Sequence, residues 1–176
     1  MTFDQEIYEW LTLYANPPWI QNLSEAVGDL RNFLVPIAIL LILYCIRDRS
    51  ACLKFLAILL TLLVCSEGSN YLLKHWIARP RPAVDWLIYV DPKALGFPSA
   101  HATNTMALAI FLSWWFQKSL LYFLPLPVIM GVSRVLANYH YPLDVMGGWI
   151  LGAVISVLLV ALAQKVLPVR WLSARL

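Results

Sequence analysis

Over residues 2–15, Phe3, Ile7, Trp10, Leu11 and Tyr14 recur at helical spacing against Asp4, Gln5, Glu6 and Glu9. That pattern predicts an amphipathic helix, too polar to cross a bilayer and suited to lie in its interface. Pro17 and Pro18 end it and can open the next helix, because proline is tolerated in a first turn. From Trp19, the positions Ile20, Leu23, Val27, Leu30 and Leu34 keep a helical stripe that merges into an apolar run over 33–46, read as the first span. Four further apolar segments follow at about 52–73, 100–116, 120–138 and 143–166, each near the roughly 17–25 residues that a crossing needs. Pro125 and Pro127 predict a kink in the fourth. The expected fold class is therefore all-α. It is an integral-membrane bundle of about five transmembrane helices behind an N-terminal interfacial helix. One domain over 1–176 is the simplest organisation, with the interfacial helix in 1–18, the bundle in 19–166 and a cytoplasmic tail in 167–176.

Composition supports lipid as the solvent for much of the surface. Apolar residues make up 61% and charged ones 13% of the chain, against roughly 45–50% and about 25% in soluble proteins, and the mean hydropathy is +0.70. The net charge of +3 is too small a surplus to imply a nucleic-acid partner. Asp4, Glu6 and Glu9 stand where a cleaved leader would be basic. Arg47, Arg49, Lys54, Lys118, Lys165, Arg170 and Arg175 cluster at one set of segment ends with a single acid, Asp48, which marks those ends as cytoplasmic. The N-terminal helix and the stretch 75–98 then face outward. Cys45, Cys52 and Cys65 lie in or beside apolar segments, so buried thiols are expected, with neither a structural disulfide nor metal-ligand spacing.

Polar residues that packing does not require gather in three places, all on the outward side of this topology. The first is Lys74-His-Trp-Ile-Ala-Arg-Pro-Arg81-Pro82; the second is Pro98-Ser99-Ala100-His101; the third runs from Ser133-Arg134 through His140 to Asp144. Together they offer three cations (Lys74, Arg81, Arg134), a hydroxyl (Ser99), two imidazoles (His101, His140) and a carboxylate (Asp144). Arginine forks match phosphate oxygens, lysine adds a point charge, and a helix beginning at 99–102 presents backbone donors to an anion. Pro142 suits the first turn of the last helix and leaves the Asp144 carboxylate close to His140. There it can accept the Nδ1 proton and free Nε2 to attack.

Lys, six residues, Arg-Pro; Pro-Ser-Gly-His; and Ser-Arg, five residues, His, three residues, Asp form the signature of the type 2 phosphatidic acid phosphatase (PAP2) superfamily, which includes the vanadium haloperoxidases. The chain resembles a small bacterial member over about residues 60–166. It matches at Lys74, Arg81, Pro82, Pro98, Ser99, His101, Ser133, Arg134, His140 and Asp144. It departs at Ala100, where the family usually has Gly; the change adds a methyl group and removes easy access to positive φ. The resemblance implies that His140 is the nucleophile of a phosphohistidine mechanism, oriented by Asp144. His101 would be the general acid, with Lys74, Arg81, Ser99, Ala100 and Arg134 holding the phosphoryl oxygens. It implies no metal and no cofactor, since the three cations supply the positive charge.

Outside the signature, His75 reads as an interfacial anchor. Arg79 and Lys93 read as headgroup-attracting or substrate-selecting cations, and Glu67 as a structural hydrogen-bond acceptor or a tuner of Lys74. Trp76, Trp86, Tyr89, Tyr139, Tyr141 and Trp149 form an expected outer aromatic belt, and Trp114, Trp115 and Trp171 an inner one. Gly148, Gly152 and Ser156 make a small-residue ridge for packing inside the bundle or for a homodimer.

The implied activity is metal-independent hydrolysis of a phosphomonoester or pyrophosphate on a membrane lipid, with only that lipid and the bilayer as partners. The expected setting is a multi-pass protein of the bacterial cytoplasmic membrane with its site facing the periplasm. Lipid A 1-phosphate and undecaprenyl pyrophosphate lead as substrates, with phosphatidylglycerol phosphate as the alternative. An anion-binding transporter and a vanadate-dependent haloperoxidase are the competing classes.

Overall fold

The computed structural model describes residues 3–14, 17–82 and 95–167. Lys93, Trp86, Tyr89, Trp171, Arg170, Arg175 and nearly all of the expected tail lie outside them. The first helix, α1 (Phe3–Tyr14), is the expected amphipathic segment. Pro17 is extended, and α2 (Pro18–Gly28) starts with Pro18 in its first turn, where the missing N–H costs nothing.

The expected first span is not one continuous helix. Asp29 accepts from the Arg31 N–H at 3.0 Å and pairs with its guanidinium, a local competitor to helical hydrogen bonding. The chain passes through a 3₁₀ turn, Leu30–Phe33, into α3 (Leu34–Arg47). The two halves are bent by 66°. Gly28 stands where they part, and a Cβ there would overlap the Arg134 guanidinium.

Asp48 caps α4 (Arg49–Ile77) by accepting the Ala51 N–H at 2.9 Å. Ala78, at φ 50°, closes the helix with its N–H on the Lys74 carbonyl at 2.8 Å. Then come α5 (Ala100–Phe116), α6 (Pro125–Leu136) and α7 (Pro142–Val166). Pro125 and Pro127 open α6 instead of kinking a longer helix, and a separate 3₁₀ turn, Leu120–Tyr122, precedes it. Among the described residues α4 and α7 are long and apolar enough to cross a bilayer singly, and the bent pair makes a third candidate. The 17 residues of α5 reach about 26 Å at 1.5 Å per residue, just short of a roughly 30 Å hydrocarbon core.

α5 is the centre of the bundle, with Ala102, Ala107, Ala109, Phe111 and Trp115 buried. The α7 ridge packs directly on its backbone: a Cβ on Gly148 would stand 2.6 Å from the Ser99 carbonyl, and one on Gly152 would strike Thr103. The ridge is thus consumed inside the bundle. At the opposite end from the signature residues, Phe55, Phe111 and Trp115 form an aromatic core, and the Trp115 indole donates to Tyr44 Oη at 3.0 Å. Trp115 is therefore a core residue and not part of an inner belt. Leu40, Leu60, Val64, Leu158 and Leu162 point outward, as lipid-facing side chains do.

The cysteine expectation is corrected on two points. Cys45 and Cys52 are disulfide-bonded, because the reversal at Asp48 brings their Cα atoms to 5.0 Å, within bridging range. Cys65 is exposed on the outer face of α4.

Candidate active site

The signature residues converge where the C-terminal ends of α4 and α6 meet the N-terminal ends of α5 and α7. At the end of α6 the Arg134 carbonyl accepts the N–H groups of Tyr139 at 3.0 Å and His140 at 3.3 Å. Asn138 takes φ 61°, a left-handed turn that asparagine tolerates. This wrap delivers His140 to the start of α7. Tyr141 is the extended N-cap, Pro142 the first helical residue and Asp144 the third, whose Oδ2 reaches back to accept the Tyr141 N–H at 3.0 Å. His140 and Asp144 are thus held side by side: Nδ1 stands 3.5 Å from Oδ2, facing it without a hydrogen bond in this geometry. Both are buried, at 2% and 0% exposure. In this connection between α6 and α7, burial pushes His140 down to about 4. The charges of Arg81 and Lys74 reinforce the shift, and Asp144 opposes it without cancelling it. The imidazole is neutral at neutral pH.

α5 begins at the same point. Ser99 is its N-cap, its N–H donates to the Asp144 carbonyl at 2.9 Å, and its Oγ is buried without a partner among the described residues. Below it, Thr103 Oγ1 donates to the Ser99 carbonyl at 3.0 Å and contacts Asn70 Oδ1 at 3.2 Å, while Asn70 Nδ2 reaches the Ser66 carbonyl at 2.9 Å. This buried polar ladder ties α5 to α4 under the site; neither Asn70 nor Thr103 belongs to the motifs. Ala100 is an ordinary helical residue outside the positive-φ set, so the position makes no demand that only glycine meets.

Arg81, His101, Arg134 and His140 line one cavity of about 390 Å³. Its remaining wall includes Glu25, Asp29, Arg31 and Tyr139, which sequence reasoning did not assign to the site. Glu25 on α2 and Asp29 just beyond it carry no motif, so nothing local marked them as part of the cavity wall. Arg134 is braced by donating to the Ser24 carbonyl at 2.6 Å, with its guanidinium 5.1 Å from the Tyr139 ring centroid. Lys74 and Ser99 are not among the cavity-lining residues. Lys74 Nζ donates to the Leu95 carbonyl at 3.0 Å, which Arg81 Nε also approaches at 3.3 Å. Asp144 sits behind His140. Among the described residues no group of three His, Cys, Asp or Glu is arranged to hold a metal ion.

Glu67 takes the structural reading: it accepts from Asn104 Nδ2 at 2.5 Å and so links α4 to α5. Arg79, expected at the headgroup surface or as a substrate selector, has its guanidinium between Asp144 and Asp4. Tyr141 packs under Arg79 at 4.6 Å, and Trp149 donates to the Pro127 carbonyl at 3.1 Å while filling the notch at Gly131. Trp76, 82% exposed, fits the outer belt.

The sequence profile described as "PAP2 superfamily" matches residues 51–168. Phosphatidylglycerophosphatase B of Bacillus subtilis is 27% identical over 164 residues, 85% of this chain and 78% of that protein. Decaprenylphosphoryl-5-phosphoribose phosphatase of Mycobacterium tuberculosis is 41% identical over 91 residues, 48% of each chain, so this chain spans about half of that relative. In three dimensions the chain is similar to LpxE of Aquifex aeolicus, with a TM-score of 0.69 at 18% identity over 92% of this chain and 96% of that one. It is also similar to the transmembrane PAP2 type phosphatidylglycerolphosphate phosphatase of Bacillus subtilis, with a TM-score of 0.66 at 25% identity over 94% and 88%.

Proposed function

The chain belongs to the PAP2 superfamily, its matched relatives are named as lipid phosphatases, and on that premise we propose that it hydrolyses a lipid phosphate through a phosphohistidine at His140. The observation that carries the reading is a buried, neutral imidazole backed by Asp144 and opening on a cavity with Arg81, Arg134 and His101. Binding alone needs no nucleophile held in this way.

With Asp144 accepting from Nδ1, Nε2 carries the lone pair that attacks phosphorus. The N–P bond forms as the bond to the lipid oxygen breaks, and His101 gives that oxygen its proton. Water then attacks the phosphohistidine and passes a proton to His101. Inorganic phosphate leaves and both histidines return to their starting states. Arg81, Arg134 and Lys74 neutralise charge on the phosphoryl oxygens, while Ser99 and the first N–H groups of α5, including that of Ala100, donate to them. The site sits at one end of the bundle, opposite the basic ends of α3 and α7, so the positive-inside rule directs it to the periplasmic side of a multi-pass cytoplasmic-membrane protein.

Lipid A 1-phosphate and undecaprenyl pyrophosphate are the leading substrates. Phosphatidylglycerol phosphate is the alternative, favoured by the broad overlap with the Bacillus relative. The test is a phosphate-release panel over these three lipids in detergent with excess EDTA, for wild type and His140→Ala. Release that withstands chelation and is lost in the variant supports the mechanism, and the fastest lipid identifies the headgroup. Activity that vanishes with EDTA, or survives the substitution, refutes it.

A further inference from the structure

Arg79 and Asp4 lie outside the three motifs, yet they are built into the nucleophile's support. Asp144 uses its two oxygens separately. Oδ2 takes the Tyr141 N–H and faces His140, while Oδ1 accepts from Arg79 Nη1 at 2.9 Å. The other arm of the same guanidinium, Nη2, donates to Asp4 Oδ2, and Asp4 Oδ1 accepts the Leu143 N–H at 3.0 Å. Asp4, on the amphipathic helix α1, is 3% exposed, unusual for a carboxylate unless it is paired. Four residues on, Tyr8 Oη donates to Asn138 Oδ1 at 2.9 Å, and its ring meets Tyr141 edge-on at 5.1 Å. α1 thus grips both ends of the segment that carries His140, and Arg79 joins that grip to the carboxylate behind it.

We propose that Asp4 and Arg79 are positioning residues of the reaction. Arg79 compensates the charge of the fully buried Asp144 and fixes which of its oxygens faces His140 Nδ1, and α1 holds Arg79 through Asp4. A planar fork holds two carboxylates in fixed directions, whereas an ammonium is a flexible point charge that does not fix the orientation of either. A carboxylate held in this orientation is acceptor-only, so the proton stays on Nδ1 and Nε2 stays free to attack. The inference rests on His140 acting as the nucleophile, and it adds that a helix outside the signature, α1, sets the nucleophile's tautomer.

The test uses the full-length protein in detergent with the lipid preferred in the substrate panel, comparing Arg79→Gln, Arg79→Lys, Asp4→Asn and their double variant. A small displacement of a reacting group costs about 100-fold. Arg79→Gln is therefore expected to lower kcat about 10–100-fold with KM within about threefold, Arg79→Lys to recover only part, and Asp4→Asn to add nothing once Arg79 is gone. Imidazole ¹⁵N spectra, assigned with His140→Ala, are expected to show a proton on Nδ1 in the wild type and a shift towards Nε2 in Arg79→Gln. If Arg79→Gln does not fold, Asp4→Asn, which keeps an acceptor for Leu143, carries the same comparison. Variants with wild-type kcat beside an inactive His140→Ala would overturn the proposal and leave the active site standing. A raised KM at unchanged kcat would make Arg79 a headgroup ligand and overturn it too. If no lipid is hydrolysed, the functional reading fails, and the ¹⁵N spectra still decide whether Arg79 sets the tautomer.

Discussion

Replacing Asp144 by asparagine keeps its shape and removes one acceptor, and the consequence can be worked through donor by donor. Oδ1 accepts from Arg79 Nη1 at 2.9 Å; Oδ2 accepts the Tyr141 N–H at 3.0 Å and faces His140 Nδ1 at 3.5 Å. Asparagine has one oxygen for these two directions. If the oxygen stays with Arg79, the amide NH₂ faces Tyr141 and His140. A helix cap worth about 1 kcal/mol is then lost, and Nδ1 must accept, which moves the proton onto Nε2. If the oxygen turns towards His140, the NH₂ meets the guanidinium, forfeiting a charged hydrogen bond worth about 1.5–3 kcal/mol. The first arrangement is the cheaper, and it is the one that disables the nucleophile. Wrong-tautomer variants of oriented histidines lose up to about 10⁴-fold in turnover. We expect kcat/KM to fall by about 10³–10⁴, or about 4–5.5 kcal/mol of transition-state stabilisation, with only about 1–2 kcal/mol lost from stability. Initial-rate phosphate release, read beside thermal unfolding in the same detergent, separates the two. A folded Asp144→Asn protein within tenfold of wild-type kcat/KM would refute the orienting role.

Three further outcomes follow from the structure. Because burial holds His140 down to about 4, ¹⁵N-detected titration is expected to show it neutral down to about pH 5; a midpoint near the ordinary histidine value of about 6.5 would contradict the buried placement. A histidine depressed on folding binds fewer protons folded than unfolded between about pH 4 and 6.5. His140 therefore withdraws stability as pH falls through that window and leaves it intact above. Gly152→Leu would force a side chain into the Thr103 backbone, and overpacking of this kind costs about 1–3 kcal/mol or more. A clear drop in unfolding temperature is expected, whereas an unchanged one would mean α5 and α7 are not packed this closely.

Much of this protein was legible in the sequence because the bilayer and the reaction each impose local rules. A lipid-facing surface demands apolar helices, so hydropathy predicted an all-α membrane bundle, and the amphipathic start of the chain marked α1. The motifs read true as geometry where they are short-range: Pro142 and Asp144 place a carboxylate beside His140 because one helical turn does so. Local rules could not show long-range packing. Asp29 and Arg31 supply a local break, but only the packing shows that Gly28 lies against Arg134, more than a hundred residues away, with no room for a side chain, and that Glu25 and Asp29 border the cavity. Nor could they show the pairing of Arg79 with Asp4, which join across 75 residues, or the disulfide made by the reversal at Asp48. A charge on an outward segment looks the same in sequence whether it faces water, a lipid headgroup or another carboxylate. Helical class and the polar chemistry at one end of the bundle follow from local pattern, because each is a matter of composition and short spacing. Packing sorts those charges, with Arg81 and Arg134 lining the cavity and Arg79 set between two carboxylates, because only the folded chain brings distant residues into contact.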